Sequence, residues 1–308
     1  MADKHILQIK NLSVAFTQYE QGLRQMELNV IQNLHVSVRE GELVAVVGSS
    51  GSGKSLLAHA ILGILPYNCQ AEGNIWFEDE LLSSERIAAL RGRKIVLVPQ
   101  SVTYLDPLEK VGRQVRRERN QESVRKKQEA LFDFYKLPLS TGELYPFELS
   151  GGMARRVLLT TAMMENPRLL IADEPTPGLH LEAAKKALRH FRTFADQGNG
   201  VLLITHDLEL ALEVADRIAV FYAGTTVEEA PVADFQSVDT LRHPYTKALW
   251  RALPQHGFHP FPGNQPYAKD MPQGCPFGPR CPQLTPDCEG PIPEQTIRFG
   301  TVRCIHAE

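Results

Sequence analysis

An octapeptide, Gly48-Ser49-Ser50-Gly51-Ser52-Gly53-Lys54-Ser55, follows the apolar run Leu43-Val44-Ala45-Val46-Val47 and opens a helix-favouring stretch, Ser55 to Leu65. It fits the pattern G-x-x-x-x-G-K-[ST], whose glycines leave backbone N–H groups free to close around a phosphate. The helix that follows adds the positive end of its dipole. In such a loop Lys54 neutralises β- and γ-phosphate oxygens, and the Ser55 hydroxyl ligates Mg²⁺. The pattern needs a buried strand before it and a helix after it, so this chain is committed to an α/β core.

The remaining patterning agrees. Leu12, Val14 and Phe16 alternate with polar residues, as do Leu34, Val36 and Val38, which predicts a half-exposed antiparallel sheet before the loop. Further apolar runs, Lys94 to Pro99, Leu169 to Ala172, Val201 to Thr205 and Ile218 to Tyr222, alternate with helical stretches and predict a mostly parallel sheet. Ligands of such sheets bind beyond the carboxyl ends of the strands. From Val111 to Glu148 charged, helix-favouring residues dominate and predict an inserted helical subdomain, whose basic residues read as a solvated face. Beyond Arg242 prolines become dense and periodicity fades, which predicts an irregular extension.

The run Leu169-Leu170-Ile171-Ala172-Asp173-Glu174 ends a buried strand in two carboxylates. Asp173 suits a Mg²⁺ ion and its water shell. Neighbouring side chains on an extended strand point opposite ways, which leaves Glu174 to polarise an attacking water.

Composition sets limits. A formal charge of -3 over 308 residues gives no general attraction to nucleic acid or anionic lipid. Neither a signal-peptide core in Met1 to Lys10 nor a run of about 18 apolar residues is present, so the expectation is a cytosolic or peripheral chain.

Leu149-Ser150-Gly151-Gly152-Met153, placed before the carboxylate strand and at a helix start, resembles the LSGGQ motif of ABC-type ATPases. A serine and two glycines at a helix N-terminus present hydroxyl, N–H groups and dipole to an anion, and Ser150 also serves as a helix cap. The resemblance implies that ATP is held between the loop of one subunit and Ser150, Gly151 and Gly152 of another. It implies roles for Gln100 as a Mg²⁺-sensing residue, for His206 at the γ-phosphate, and for Phe16 stacked on adenine, with Tyr19 its competitor. Two positions depart from the family pattern: Met153 stands for glutamine, and His180, in Pro177-Gly178-Leu179-His180, stands for aspartate. Both fall on the composite site that this chain's own motif would complete.

Glu228-Glu229-Ala230-Pro231, His243-Pro244-Tyr245-Thr246-Lys247-Ala248-Leu249 and a cysteine tail resemble the ATP-binding subunits of oligopeptide, dipeptide and nickel importers. The tail places Cys275, Cys281, Cys288 and Cys304 in the spacing C-x₅-C-x₆-C-x₁₅-C. Four thiolates on a proline-stiffened loop can satisfy a tetrahedral metal or a cubane cluster, and spacing does not separate zinc from iron–sulfur. The resemblance implies a structural [4Fe–4S] cluster. Cys69 stands apart and reads as a small apolar residue.

The expected organisation is an ABC ATPase domain over residues 1–240, with a helical subdomain at about 101–165, and a cysteine-bearing extension over 241–308. The implied activity is ATP hydrolysis on the cytoplasmic side of a membrane, driving uptake of peptide, nickel or a metal chelate. Implied partners are a second, non-identical ATPase subunit, two transmembrane permease subunits and, indirectly, an extracytoplasmic solute-binding protein. The competing function is an ABC-type ATPase that acts on ribosomes or nucleic acid; the single cassette and the charge count against it.

Overall fold

The computed structural model describes residues 4–19, 24–49 and 51–308. Two long strands come first, β1 (His5–Tyr19) and β2 (Gln25–Arg39), followed by β3 (Leu43–Gly48) and α1 (Lys54–Leu62). Next are β4 (Cys69–Phe77), β5 (Glu80–Leu81), α2 (Ser84–Leu90) and β6 (Ile95–Val98). The inserted region contains α3 (Val111–Arg116), α4 (Glu122–Phe134) and α5 (Gly151–Met163). The core resumes with β7 (Leu169–Asp173), α6 (Leu181–Asp196), β8 (Gly200–Thr205), α7 (Leu208–Leu212), β9 (Arg217–Tyr222) and β10 (Thr225–Pro231). The chain closes with α8 (Pro244–Arg251), β11 (Glu294–Ile297) and β12 (Gly300–Arg303).

β3 is buried along its whole length and shares its side chains between two cores. Leu43, Ala45 and Val47 face the core beneath α6, whereas Val44 and Val46 face the core shared with α1 and the antiparallel sheet. This period-two division explains why the run reads as continuously apolar. α6 covers the first core with Ala184, Ala187, Leu188, Phe191 and Ala195, spaced three and four apart as one helical stripe requires. A third core, built on Leu105, Val115, Phe132, Val157 and Leu158, lies within the inserted helices.

The antiparallel sheet has the order β2-β1-β4-β5, and the larger sheet β11-β12-β10-β9-β3-β8-β7-β6. From β9 to β6 the pairing is parallel, so the ends of β3, β6, β7 and β8 that carry Gly48, Pro99, Asp173 and Thr205 emerge on one side.

The extension is irregular through residues 252–293, where 3₁₀ turns are the regular structure described. Its end is not irregular: β12 pairs with β10 and carries the edge of the main sheet outward. Phe277 is fully buried in the first core and meets Tyr222 edge to face at 5.3 Å. At the root of the extension, Arg242 and Glu228 are both fully buried. Glu228 accepts from the backbone N–H groups of Arg242 at 3.0 Å and His243 at 2.8 Å, and from the Arg242 guanidinium at 3.2 Å. The guanidinium also donates to Asp234 and to the carbonyls of Ile297 and Arg298, which ties β10, the start of the extension and the final hairpin together.

Such a pair is costly to break from one side, because the other charge is left buried alone. Arg242→Met is therefore expected to lower the unfolding free energy by about 3–5 kcal/mol in a denaturant titration. A loss below about 1 kcal/mol would mean that the extension is fastened by other means.

Candidate functional site

The phosphate loop leaves β3 at Gly48, where the backbone passes so close to its neighbour that a Cβ would stand 2.3 Å from the Phe221 carbonyl oxygen. Glycine is therefore obligatory at this strand end. Gly53, at φ 94°, occupies the left-handed region as N-cap of α1. Lys54 is 6 % exposed, and its ammonium donates to the carbonyls of Gly48 and Ser49, both at 2.8 Å. Burial lowers its pKa, while the carboxylates of Glu174 and Asp173 act in the opposite direction.

Lys54, Ser55, Gln100, Glu174 and His206 line one cleft of about 490 Å³ together with Gly51, Gly53 and Val30. Ser55 Oγ donates to Asp173 Oδ1 at 3.2 Å, so the two expected Mg²⁺ ligands are neighbours. Burial raises the Asp173 pKa, the Ser55 bond lowers it, and Glu174 adds to the rise. A divalent cation would relieve that desolvated carboxylate.

Asp173 and Glu174 meet different partners, but not by strand alternation. β7 ends at Asp173, and Glu174 turns into the left-handed region at φ 45° while its N–H donates to the Ile204 carbonyl at 2.9 Å. The turn brings the Glu174 carboxylate back to the cleft, where both oxygens lie 2.9 Å from His206 Nδ1. Protonated at Nδ1, the imidazole donates to that carboxylate and fixes its direction.

A residue that sequence reasoning missed holds Gln100. Arg155, buried on α5, donates to the carbonyls of Pro99 at 2.7 Å and Gln100 at 2.5 Å. An arginine two residues beyond Met153 carries no local sign of a partner more than fifty residues earlier.

Ser150 is the N-cap of α5 and accepts from Met153 N at 3.3 Å, so the capping role is realised. A Cβ at Gly151 would meet nothing within 4 Å, which leaves that helix tip open. Gly152 instead lines a second cavity with Gly178, His180 and Arg156, apart from the cleft of Lys54. The two departures from the family pattern have local explanations. His180 caps α6 by accepting from Ala183 N at 3.3 Å, and Met153 packs against the core of the inserted helices.

Phe16 is half-buried on β1 and outside the residues that line the cleft; Val30 of β2 lines it instead. Tyr19 is exposed, and its hydroxyl accepts from Gln25 at 3.0 Å. Ser50 lies outside the described residues.

The four tail cysteines share one corner of the fold. Cys275, Cys281 and Cys288 each act electrostatically on Cys304, and Cys275 N donates to the Cys288 carbonyl at 2.9 Å. Burial raises the pKa of Cys275 and Cys281 and pushes Cys304 up to about 11. Among the described residues, no three His, Cys, Asp or Glu side chains converge as a ready-made metal-ligand set. All five cysteines are free thiols.

The loop closed around Lys54, the Ser55–Asp173 pair, the Glu174–His206 couple and a separate helix tip at Ser150 together mark an ATP-binding cassette. The family model described as ABC transporter matches residues 31–177, and that described as oligopeptide/dipeptide transporter, C-terminal region, matches residues 227–288. The chain is 32% identical to the oligopeptide transport ATP-binding protein OppD of Escherichia coli (strain K12), over 97% of this chain and 92% of that one. It is 33% identical to the dipeptide transport ATP-binding protein DppD of Bacillus subtilis (strain 168), over 97% and 94%. Its fold is similar to the dimeric structure of MJ0796, a bacterial ABC transporter cassette, with TM-score 0.64 and 25% identity over 73% of this chain and 98% of that one. A second structure, a dimeric post-hydrolysis state of MJ0796 bound to ADP and Pi, gives TM-score 0.63 and 26% identity over the same shares. The chain belongs to the ABC transporter family, among the ATP-binding subunits of the oligopeptide/dipeptide type. It is an ATP-hydrolysing transporter subunit.

Arg155→Ala removes two charge-assisted bonds, each worth about 1.5–3 kcal/mol, from the strand end that carries Gln100. Saturated ATP turnover is expected to fall about 10-fold or more while nucleotide binding persists. Unchanged turnover would show that the position of Gln100 does not depend on this grip.

Proposed function

We propose that this chain powers peptide import as one of two ATPase subunits seated on the cytoplasmic face of a membrane transporter. The observation that carries the reading is the separation of two half-sites: the phosphate loop lines one cleft, and Gly152 of the serine–glycine tip lines another. One chain offers ATP two unlike surfaces that it does not itself bring together, so a second chain supplies the complement. Relatives carry names for oligopeptide and dipeptide transport, which favours peptide over nickel as cargo.

In this reading Ser49 to Ser55 hold the phosphates, and Lys54 leaves its backbone carbonyls for the β- and γ-oxygens. Ser55, Asp173 and Gln100 would hold Mg²⁺, which neutralises phosphate charge when bound. Glu174 would take a proton from the attacking water, and His206, bonded to it in the same cleft, would contact the γ-phosphate. The adenine stacks on Phe16 or rests against Val30. No helix among the described residues is long and apolar enough to cross a membrane, so two permease subunits would provide the path and a solute-binding protein the delivery. The second ATPase subunit is a different chain: His180 and Met153 make this chain's own tip unlike the usual one, and a non-identical partner would carry the unaltered counterpart.

Cys275, Cys281, Cys288 and Cys304 would hold a structural [4Fe–4S] cluster by drawing closer than they stand here, where no three ligand side chains converge among the described residues. Backbone groups of Phe277 and Gly278 act on Cys275, of Gln283 on Cys281 and of His306 on Cys304, each favouring the ionised sulfur against burial. A bound cation would complete what those groups begin.

Glu174→Gln is expected to slow hydrolysis about 10²–10⁴-fold, with ATP binding retained and a Mg²⁺–ATP-dependent two-subunit complex accumulating. Turnover at the wild-type rate in the assembled transporter would remove Glu174 from the role of base. Anaerobically purified chain is expected to contain iron and to absorb near roughly 400 nm. Stoichiometric zinc without that band would assign the cysteines to zinc.

A further inference from the structure

The extension reaches the phosphate loop itself. Gln265 accepts from Ser49 Oγ at 2.6 Å and donates from Nε2 to the Gly51 carbonyl at 3.5 Å. Neither bond uses a loop N–H, so Gln265 does not compete with a phosphate for those donors. Ser49 is thus held from two sides, its carbonyl by Lys54 and its hydroxyl by Gln265. When Lys54 turns to a phosphate, Gln265 still holds the Ser49 hydroxyl, beside Tyr245, which also acts on Ser49.

Gln265 is itself fixed from the cysteine corner. Arg280, placed between Cys275 and Cys281, donates to the Pro262 carbonyl at 3.0 Å and the Phe261 carbonyl at 3.3 Å. It also donates to the Tyr222 hydroxyl at 3.2 Å, at the end of β9, and its guanidinium lies 5.3 Å from the Phe261 ring centroid. Phe221, beside Tyr222, is the residue against which Gly48 begins the loop. On the far side of Gln265, the turn Ala268–Asp270 packs on β2. A segment clamped at both ends presents one amide to the first turn of the phosphate loop.

We propose that Gln265 is a positioning residue for the phosphate loop, through which the cysteine-bearing extension sets nucleotide affinity. Preorganisation is the physical basis: a loop already held in shape loses less conformational freedom when it closes on phosphate. The inference rests on the assignment of the Lys54 cleft as the nucleotide site.

The test is calorimetric titration of the full-length chain with Mg²⁺ and a non-hydrolysable ATP analogue. Gln265→Met keeps the length of the side chain and removes both hydrogen bonds. Its Kd is expected to rise about 3- to 10-fold, the loss of one or two net hydrogen bonds, with an unchanged unfolding midpoint and kcat in the assembled transporter within about twofold of wild type. Ser49→Ala, which removes one of the two bonds that Gln265→Met loses, should weaken binding by no more than Gln265→Met and add little in that background, where the Ser49–Gln265 bond is already gone. Arg280→Lys, which keeps the charge but loses the fork on Phe261 and Pro262, should move Kd in the same direction. A Gln265→Met affinity within twofold of wild type, a tighter affinity, or full additivity with Ser49→Ala would overturn the proposal. Failure of the wild-type chain to bind the analogue would strike the nucleotide site itself, and the inference with it.

Discussion

A single ammonium group drawn out of water organises the cleft of this chain. Lys54 sits within its own loop, bonded to two carbonyls, with Asp173 and Glu174 near enough to act on it. Carbonyl dipoles satisfy its protons without cancelling its charge, and the two carboxylates are themselves desolvated or committed elsewhere. In the proposed function, a polyanion arriving with its own divalent cation would relieve both imbalances at once, with Lys54 turned to the phosphate and Asp173 with Ser55 toward the metal. The sheet serves this point. Its parallel strands deliver Gly48, Pro99, Asp173 and Thr205 to one side, and the residues that follow converge on the cleft.

What the sequence discloses of this arrangement is what depends on neighbours in the chain. The loop, its strand and its helix are contiguous, and the Leu43 to Val47 run declares burial on both faces. Ser150 is legible as a cap because capping is a three-residue relationship. The reading fails where geometry departs from the repeat it assumes. Glu174 was expected to point away from Asp173, and a left-handed residue at the strand end brings it back to the cleft. Arg155 and Gln265 leave no local trace, since their partners lie on distant segments and either side chain would suit an exposed surface as well. The final hairpin was hidden for a related reason: β11 and β12 are four residues each, too short for alternation to stand out from a proline-rich background.

The extension is also less of an appendage than its composition suggests. Phe277 and Tyr245 lie in the same core as β3 and α6, and β12 continues the hydrogen-bonded ladder of the sheet. The acid at Glu228 and the start of the His243-Pro244-Tyr245 run, separate in sequence, are one unit in space, in which a carboxylate receives two backbone amides and an arginine. A buried ion pair of this kind fixes register as well as energy, because a shifted strand would strand both charges. The cysteine corner is therefore mounted on the sheet that carries the loop.

The helix α5 has a mechanical corollary. Its exposed tip at Ser150 and its buried Arg155 are little more than one turn apart on the same rigid rod, and Arg155 grips the backbone next to Gln100. A push on the tip from outside the chain would reach a wall of the chain's own cleft through this short lever. Two such subunits facing each other would be geared together, neither free to advance through its cycle without turning a part of the other.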